Sequence, residues 1–423
     1  MKKDRDSTES MPVKVLHINF SDSGGAGNAA RRSHLALLAH GVDSKMLVTK
    51  KATNAPEIYE LRFLALRKLW RVFQLRYEQW LRRKVDPIDR SLRSSNRLPG
   101  FIIPEIKRFQ PDIVHFHWVN AGMISVREIE KIKATVVWTM HDLWPIMGSY
   151  HYAGSLMTPE MAMQYPTSFK EIDHSGYGAK IGDCYRRSLK SKPNGIVALC
   201  RNFYTVAKKA EWLPHERLER IPNCLDNSIF SLSDSKDVLR TQLGLPHDRI
   251  LLLFGAASLH ARHKGMDLLL GSLELLNPKT IEKCCLVVVG GDAGVKNVGG
   301  MACKSLGSIC DEKLMADIYK ACDVFLCPSR EDNFPNTVAE SSSCGLPVVA
   351  YRTGGLSDMI DHGVTGYLAQ PFSINDYAKG IDLAVAKHIE WSPKAVEKAQ
   401  KLYDSGQHAE KMLAFYKQLL YPA

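Results

Sequence analysis

The sequence lacks a long hydrophobic run. It contains no uninterrupted run of eighteen apolar residues, and its first eleven residues, MKKDRDSTESM, are polar or charged apart from the methionines. A membrane-spanning helix needs about 20 apolar residues, and a secretory signal needs an apolar core of about 7–15. We therefore expect a cytoplasmic protein, in solution or on the inner face of a membrane. Residues 1–11 are predicted to form a flexible tail.

Paired metal-binding cysteines are also lacking. The chain has ten cysteines, but none forms a CxxC motif, which argues against a zinc ribbon. His115 and His117 alternate on one predicted strand and face the same side, and His141 ends the next predicted strand. These three could approach one another, but no fourth ligand is evident. We therefore interpret the cysteines as free thiols and expect His115 and His117 to lie in the core or in a cleft wall. The sequence shows no committed metal site.

A third absence argues against a nicotinamide-dependent enzyme. The first predicted strand, VKVLHINF, leads into Ser23-Gly24-Gly25-Ala26-Gly27 and a helix. Such a loop brings backbone N–H groups to a phosphate, although it can also be only a tight turn. A dinucleotide site needs a third glycine and an acidic residue ending the second strand. Here alanine replaces that glycine, residues 45–51 contain no acid, and Asp43 precedes the strand.

The charge balance is strongly basic. A net charge of +11 and a pI near 9.0 favour anionic partners such as nucleotides, phosphates or anionic lipids. No DNA- or RNA-reading signature accompanies the charge, so nucleic acid is not an expected partner.

Strands and helices alternate in two series. Apolar strands begin near residues 13, 44, 112, 135, 195 and 218, and a second set begins near 250, 284, 303, 322, 346 and 365. Near-continuous apolar strands separated by helices indicate parallel sheets. The prediction is an α/β protein with two Rossmann-like, doubly wound domains facing across a cleft. The N-terminal domain covers residues 12–230, the C-terminal domain 231–390, and helices in 391–423 pack back toward the N-terminal domain.

Two segments interrupt the alternation. Residues 51–99 form an insertion with eleven basic residues between Arg62 and Arg97, and with aromatic and leucine residues at helical spacing. This pattern suits a helix in an anionic membrane interface, or an ordinary helix whose apolar face is buried on the sheet. Residues 143–183 are predicted to be a long loop, a length that is uncommon unless functional or disordered.

Several polar residues follow predicted strands, where α/β proteins bind ligands. His141 can donate a hydrogen bond or share a proton, and Asp142 can orient it or cap the next turn. Lys264 precedes a helix and is suited to neutralising a diphosphate. Glu331 and Asp332 end a strand loop, and Glu340 lies inside the following helix. For each residue the alternative is a structural or merely solvated side chain.

Together these motifs resemble the retaining glycosyltransferases of family 4, which have the GT-B fold. The resemblance rests on the acids Asp332 and Glu340 with seven residues between them, on CGLPVVA and TGGLSD, on the glycine loop, on HD at His141 and on KG at Lys264. It covers nearly the whole chain except residues 51–99 and 152–183.

The resemblance implies transfer from a nucleotide-sugar with retention, without a required metal or other cofactor. It implies that Glu340 binds the donor ribose, that Asp332 or Glu331 binds the sugar, and that His141 lies at the reacting face. It implies that Lys264 holds the diphosphate with help from the backbone amides of Asn336 and Thr337. It also implies that Gly24 and Gly25 pack against the phosphate or sugar of the donor. Two positions depart from the family pattern. The first acid is Asp332 instead of the usual Glu, and Ala257-Ser258 replace a Gly-Arg pair, for which Arg262 is the expected substitute.

The sequence thus predicts a sugar transferase acting on a glycan or lipid-linked acceptor in polysaccharide, lipopolysaccharide or glycolipid synthesis. Two alternatives stay open: a GT-B epimerase or phosphorylase, and a non-catalytic nucleotide-sugar-binding relative.

Overall fold

A computed structural model describes most of the chain. The described residues are 12–61, 65–85, 94–148, 150–152, 158–163, 177–189, 191–210, 213, 217–233, 235–255, 261–291 and 297–422. Two seven-stranded sheets, each covered by helices, account for this part of the chain. The prediction of two doubly wound α/β domains is confirmed. The predicted tail, residues 1–11, lies outside the described residues.

The N-terminal sheet is parallel, with the strand order β3-β2-β1-β4-β5-β6-β7. Its strands are β1 (Lys14–Ser21), β2 (Asp43–Lys50), β3 (Ile58–Glu60), β4 (Ile113–Phe116), β5 (Thr135–Met140), β6 (Gly195–Ala198) and β7 (Leu218–Arg220). The helices are α1 (Gly25–Ala39), α2 (Ala65–Val85), α3 (Ile103–Phe109), α4 (Val126–Ile129), α5 (Trp144–Met147), α6 (Pro159–Met163), α7 (Tyr177–Ser188) and α8 (Arg201–Lys209).

The C-terminal sheet has the order β10-β11-β9-β8-β12-β13-β14, and only the edge strand β10 is antiparallel. Its strands are β8 (Ile250–Gly255), β9 (Cys284–Val289), β10 (Asn297–Val298), β11 (Met301–Ser305), β12 (Val324–Cys327), β13 (Val348–Tyr351) and β14 (Gly366–Ala369). The helices are α9 (Lys236–Leu243), α10 (Met266–Leu273), α11 (Pro278–Lys283), α12 (Glu312–Ala321), α13 (Asn336–Ser343), α14 (Leu356–Met359), α15 (Ile374–Leu402) and α16 (Ser405–Leu420).

The order of strands reverses direction once in each sheet. In the N-terminal sheet this occurs between β1 and β4, and in the C-terminal sheet between β8 and β12. Loops leaving the carboxyl ends of such neighbouring strands diverge, and the crevice between them is where doubly wound sheets bind ligands. The loops after β1, β4, β8 and β12 are therefore the first place to look for a site.

Two helix predictions need correction. The C-terminal helical tail was expected to start at residue 391, but α15 runs unbroken from Ile374 through Pro393. A proline inside a helix usually ends it because it lacks an N–H group; here the buried face of α15, including Tyr377, Ile381 and Trp391, outweighs that cost. Residues 143–183 were expected to be one loop, yet α5, α6 and the start of α7 lie within them.

The last helix, α16, packs on the N-terminal sheet. Met412, Phe415 and Leu419 share one buried apolar cluster with Val15 of β1 and Val197 of β6. In addition, the Tyr416 hydroxyl lies 2.5 Å from Nδ1 of His115. The C-terminal helix thereby forms part of the core of the N-terminal domain, as expected for residues 391–423. The predicted domain boundaries stay a prediction.

The basic insertion forms α2, whose buried side is partly polar and includes one large apolar residue, Leu81. Its buried side carries Gln74 and Glu78, which bond to the Pro99 carbonyl and to Ser95, respectively. Its large apolar side chains Leu69, Phe73 and Trp80 are exposed by 52–70%. The alternative of an apolar face buried on the sheet is therefore wrong for these residues. No helix in the described ranges is long and apolar enough to cross a membrane.

Candidate active site

A cleft of about 470 Å³ lies between the two domains, within the range typical of small-molecule sites. It is lined by loops that leave β1, β4, β5, β8 and β12, so it coincides with both reversal points. Its lining includes residues of both domains: Ser21, Ser23, Gly25, Gly27, Trp118, His141, Asp142, Tyr152, His263, Lys264, Asp332, Phe334, Asn336 and Thr337.

Two helix N-termini meet at this cleft. The first is that of α1, which begins at Gly25 after Gly24, whose φ of 79° is unfavourable for residues with a side chain. The second is that of α13, which begins at Asn336 after Pro335. Nδ2 of Asn336 donates to the Gly25 carbonyl at 2.8 Å and joins the two termini. Free N–H groups and helix dipoles make both ends favourable places for an anion.

A lysine and an aspartate face each other in the same cleft. Nζ of Lys264 lies 2.6 Å from Oδ2 of Asp332. Although burial opposes it, the Asp332 carboxylate raises the pKa of Lys264, so the lysine is charged at neutral pH. Glu331 is buried and does not belong to the cleft lining. Of the two acids that the sequence left open, only Asp332 faces the cleft.

Glu340 is buried one turn further along α13, and its carboxylate already has partners. Its Oε1 accepts from Nη2 of Arg32 at 2.7 Å, and its Oε2 accepts from the Tyr319 hydroxyl at 3.1 Å. Burial raises the pKa of Glu340 against the opposing pull of Arg32. Because Arg32 lies on α1 and also pairs with Glu312 at 2.5 Å, these contacts join the two domains. No sequence motif pointed to Arg32.

His141 lines the cleft at the end of β5, and its other side faces the protein interior. Its Nε2 lies 2.9 Å from Nδ1 of His117, whose Nε2 lies 2.9 Å from Nδ1 of His17. Burial lowers the pKa of His141 to about 4. His141 is therefore neutral at physiological pH and able to donate or accept one hydrogen bond at its remaining nitrogen.

Asp142 caps the turn that follows β5 and does not orient His141. Its Oδ1 accepts from the Trp144 backbone N–H at 2.9 Å, and its Oδ2 contacts Trp118 Nε1 and His151 Nδ1. Two aromatic residues that sequence reasoning missed complete this wall. Trp118 lines the cleft, and Tyr152 stacks on His263 with ring centroids 4.8 Å apart. Tyr152 lies in the segment expected to be a loop, where no periodicity marked it.

Two predicted donor-binding residues are not part of the cleft lining. Gly24 lies between the lining residues Ser23 and Gly25 but does not itself line the cleft, and Arg262 is exposed in a short 3₁₀ turn. The neighbouring His263 takes the place in the lining expected of Arg262. Ala257 and Ser258, where the family pattern has Gly-Arg, lie outside the described residues.

A possible metal site differs from the trio considered in the sequence. In the described part of the chain, His17, His115 and His117 have ligand atoms within 4.8 Å of one another. His141 is not part of this group. Both ring nitrogens of His115 already have partners, Tyr416 and Thr139. The arrangement therefore fits a hydrogen-bonded cluster better than a metal centre.

Comparison with known proteins identifies the family. Residues 23–228 match the family described as Glycosyltransferase Family 4, and residues 248–386 match the one described as Glycosyl transferases group 1. The chain belongs to the group 1, family 4 glycosyltransferases. The two matches divide at residues 229–247, within the connection from β7 to β8.

Curated relatives of this chain include two D-inositol 3-phosphate glycosyltransferases. The protein of Thermobifida fusca is 33% identical over 63% of this chain and 60% of its own length. The protein of Xylanimonas cellulosilytica is 27% identical over 61% of this chain and 59% of its own length. The chain thus spans about 60% of the length of these relatives.

Solved structures similar to this chain establish its fold. Sucrose-phosphate synthase from Thermosynechococcus elongatus matches 97% of this chain and 100% of its own, with a TM-score of 0.67 and 18% identity. Anabaena Alr3699/HepE in complex with UDP-glucose matches 95% of this chain and 99% of its own, with a TM-score of 0.63 and 17% identity. The predicted GT-B fold is confirmed.

Proposed function

We propose that this chain transfers a sugar, with retention of configuration and without a metal ion, from a nucleotide-sugar to a glycan or lipid-linked acceptor. The observation that carries the proposal is the convergence of two helix N-termini and Lys264 on one interdomain cleft. This combination suits a diphosphate, because N–H groups, helix dipoles and an ammonium group all favour negative charge. Family membership and the GT-B fold support the same reading.

The roles in the proposed reaction follow from the lining. The diphosphate lies between the N-termini of α1 and α13, near Lys264. The Lys264–Asp332 pair must loosen when the donor enters, which frees Asp332 for sugar hydroxyls. His141 faces the sugar and contributes a hydrogen bond. Cationic and N–H groups stabilise the charge that develops on the departing diphosphate, which is the role a metal ion plays in other transferases.

The direct test is turnover with a panel of nucleotide-sugars. Wild-type protein is incubated with each donor and with an extract of glycans, lipid-linked glycans and inositol phosphates, the last because of the relatives' names. Release of nucleoside diphosphate together with a glycosylated product supports transfer with the predicted acceptor class. Release of nucleoside diphosphate with water as the only acceptor would contradict transfer to a glycan or lipid. Formation of an epimer of the donor, or of a sugar phosphate from inorganic phosphate, would instead indicate an epimerase or a phosphorylase. Donor binding without turnover would indicate a non-catalytic relative.

His141→Ala is the diagnostic variant. It should lower turnover by about two orders of magnitude while donor affinity changes little, because it removes one positioned polar group. The matched control is His247→Ala. His247 is exposed between α9 and β8 and is not part of the cleft lining. Equal losses of donor binding and turnover in His141→Ala would make His141 a binding or structural residue.

The exposed face of α2 supports a lipid-linked acceptor. Leu69, Val72, Phe73 and Trp80 recur within about one third of the helix circumference and are exposed by 49–70%. The helix sequence also carries seven basic residues and a single acid, Glu78, which is buried. An apolar stripe flanked by positive charge is typical of helices that lie in an anionic membrane interface, where each basic residue contributes about 1 kcal/mol.

Vesicle co-sedimentation tests this surface. The protein should sediment with vesicles containing phosphatidylglycerol at low salt, and salt or Arg82→Glu with Arg83→Glu should weaken binding. Leu69→Asp should weaken it as well. Ile389→Asp is the matched control, because Ile389 is 79% exposed on α15. Protein that stays in the supernatant at low salt, or equal losses in both aspartate variants, would refute membrane docking.

A further inference from the structure

A chain of three histidines runs from the cleft into the N-terminal core. His141 contacts His117, and His117 contacts His17, through two nitrogen–nitrogen contacts of 2.9 Å. At the inner end, Nε2 of His17 is buried and has no hydrogen-bond partner among the described residues. The strands explain the geometry, because His17 on β1 pairs with His115 on β4, and His117 lies two residues further on the same side.

All three rings are neutral near pH 7. Burial lowers the pKa of His17 and His117 well below the usual value, and that of His141 to about 4. A neutral imidazole has one N–H donor and one bare acceptor nitrogen. Each contact in the chain needs one donor and one acceptor, so the proton position on one ring fixes it on all three. Either every ring is protonated on Nδ1, or every ring is protonated on Nε2.

The inner end of the chain favours protonation on Nδ1. With Nε2 protonated throughout, His17 would bury an N–H group that has no acceptor in the described part of the structure. With Nδ1 protonated throughout, His17 leaves only a lone pair unsatisfied. Buried N–H groups without a partner are rarer in proteins than unsatisfied acceptors. The second arrangement gives His141 a bare Nε2 toward His117 and an N–H at Nδ1.

We propose that His117 and His17 are positioning residues that hold His141 in the Nδ1–H form, so that it donates a hydrogen bond to the sugar or phosphate in the cleft. The bond formed by one ring nitrogen generally decides the protonation of the other. In this form His141 presents no basic nitrogen to an acceptor hydroxyl. The assignment of the tautomer stands on the histidine chain alone, whereas the group that receives the hydrogen bond rests on the proposed function.

A metal held by His17, His115 and His117 is the competing explanation of the cluster. Two nitrogens bound to one zinc ion at about 2.0–2.1 Å in tetrahedral geometry lie roughly 3.3–3.4 Å apart. The His17–His117 contact is 2.9 Å, the length of a hydrogen bond. Zinc bound in equal molar amount to protein purified without chelators would overturn the proposal, because metal binding requires this contact to break.

Nitrogen-15 NMR of protein labelled at histidine tests the tautomer without any substrate. Long-range spectra separate protonated from bare ring nitrogens, and His141→Asn identifies the His141 signals. The wild type should show His141 protonated at Nδ1 and bare at Nε2. A bare Nδ1 would overturn the proposal. Failure of transfer with every donor, together with a protonated Nδ1, would refute the proposed function and leave the tautomer standing.

Matched variants separate positioning from packing. His117→Phe should remove the preference for Nδ1 and lower kcat by about tenfold or more, up to the hundredfold typical of one positioned donor, with donor KM nearly unchanged. His115→Phe is the control, because His115 is equally buried in the same stack but outside the chain. An unchanged tautomer in His117→Phe, or the same change in both variants, would overturn the assignment.

A second pair keeps the test decisive if His117→Phe does not fold. His17→Phe removes the inner donor and should lower kcat in the same way. His17→Asn supplies an amide N–H for Nε2 of His117 and should restore both the tautomer and kcat toward wild type. Equal kcat values for these two variants would contradict a role for His17 in fixing the proton.

Discussion

Acid should destabilise this protein through its buried histidines. Burial lowers the pKa of His141 and of His408 from the usual 6.5 to about 4. Below pH 6.5 the unfolded chain therefore binds a proton at each of these residues, whereas the folded chain does so only near pH 4. The free energy of unfolding must fall as the pH falls through this window, because protonation favours the unfolded state.

The magnitude follows from the linkage between proton binding and folding. Each pH unit below 6.5 costs about 1.4 kcal/mol per histidine, so lowering the pH from 7.5 to 5.5 removes about 3 kcal/mol through His141 and His408 together. Protonation of His17, His115 and His117 should also lower the free energy of unfolding at acid pH, because burial lowers the pKa of each. The total free energy of unfolding of a protein is typically about 5–15 kcal/mol, so the loss expected at pH 5.5 is a large fraction of it.

Urea unfolding at pH 7.5, 6.5 and 5.5 measures the effect, and one variant isolates a single histidine. His408 bonds to the Pro222 carbonyl and to Ser33. The amide of His408→Gln can replace both bonds but does not titrate, so this variant should recover about 1.4 kcal/mol of the loss at pH 5.5. His247→Gln, at an exposed site, should recover nothing. Equal unfolding free energies at pH 7.5 and 5.5 would refute the reasoning.

Three further outcomes are expected. Glu340→Gln should weaken donor binding about tenfold or more in titration calorimetry, since a hydrogen bond to a charged group contributes about 1.5–3 kcal/mol; Glu312→Gln should not, and unchanged affinity in Glu340→Gln would exclude ribose binding. Turnover should persist in excess EDTA, and loss reversed by magnesium or manganese would contradict metal independence. Gly265→Ala should lower thermal stability by about 1–3 kcal/mol, more than Gly244→Ala, because both have positive φ but only at Gly265 would a Cβ meet a backbone atom, the Pro328 carbonyl oxygen, at 2.0 Å. Equal losses would assign the effect to φ alone.

The fold was predictable because its signals are local. Apolar strands such as ILLLFG and CCLVVV and their alternation with helices follow from short-range patterns, and strand ends then locate His141, Lys264 and Asp332 at the cleft. The exposed apolar side of α2 could not be predicted, because helical spacing shows that one side is apolar but not which side faces solvent. Arg32 and His17 were missed for another reason. Their partners, Glu340 and His117, are 308 and 100 residues away, and no spacing rule connects them.

The packing of α16 on the first sheet has a consequence for synthesis on the ribosome. Phe415 belongs to the same buried cluster as Val15 and is made 400 residues later. At about 5–20 residues per second, that face of the N-terminal sheet waits roughly 20–80 s for its cover after the first strand is made. Throughout this time the nascent chain exposes the apolar face of the N-terminal sheet that α16 buries in the finished protein. We expect the growing chain to depend on a holding chaperone, and truncations before Ser405 to aggregate although both sheets are complete.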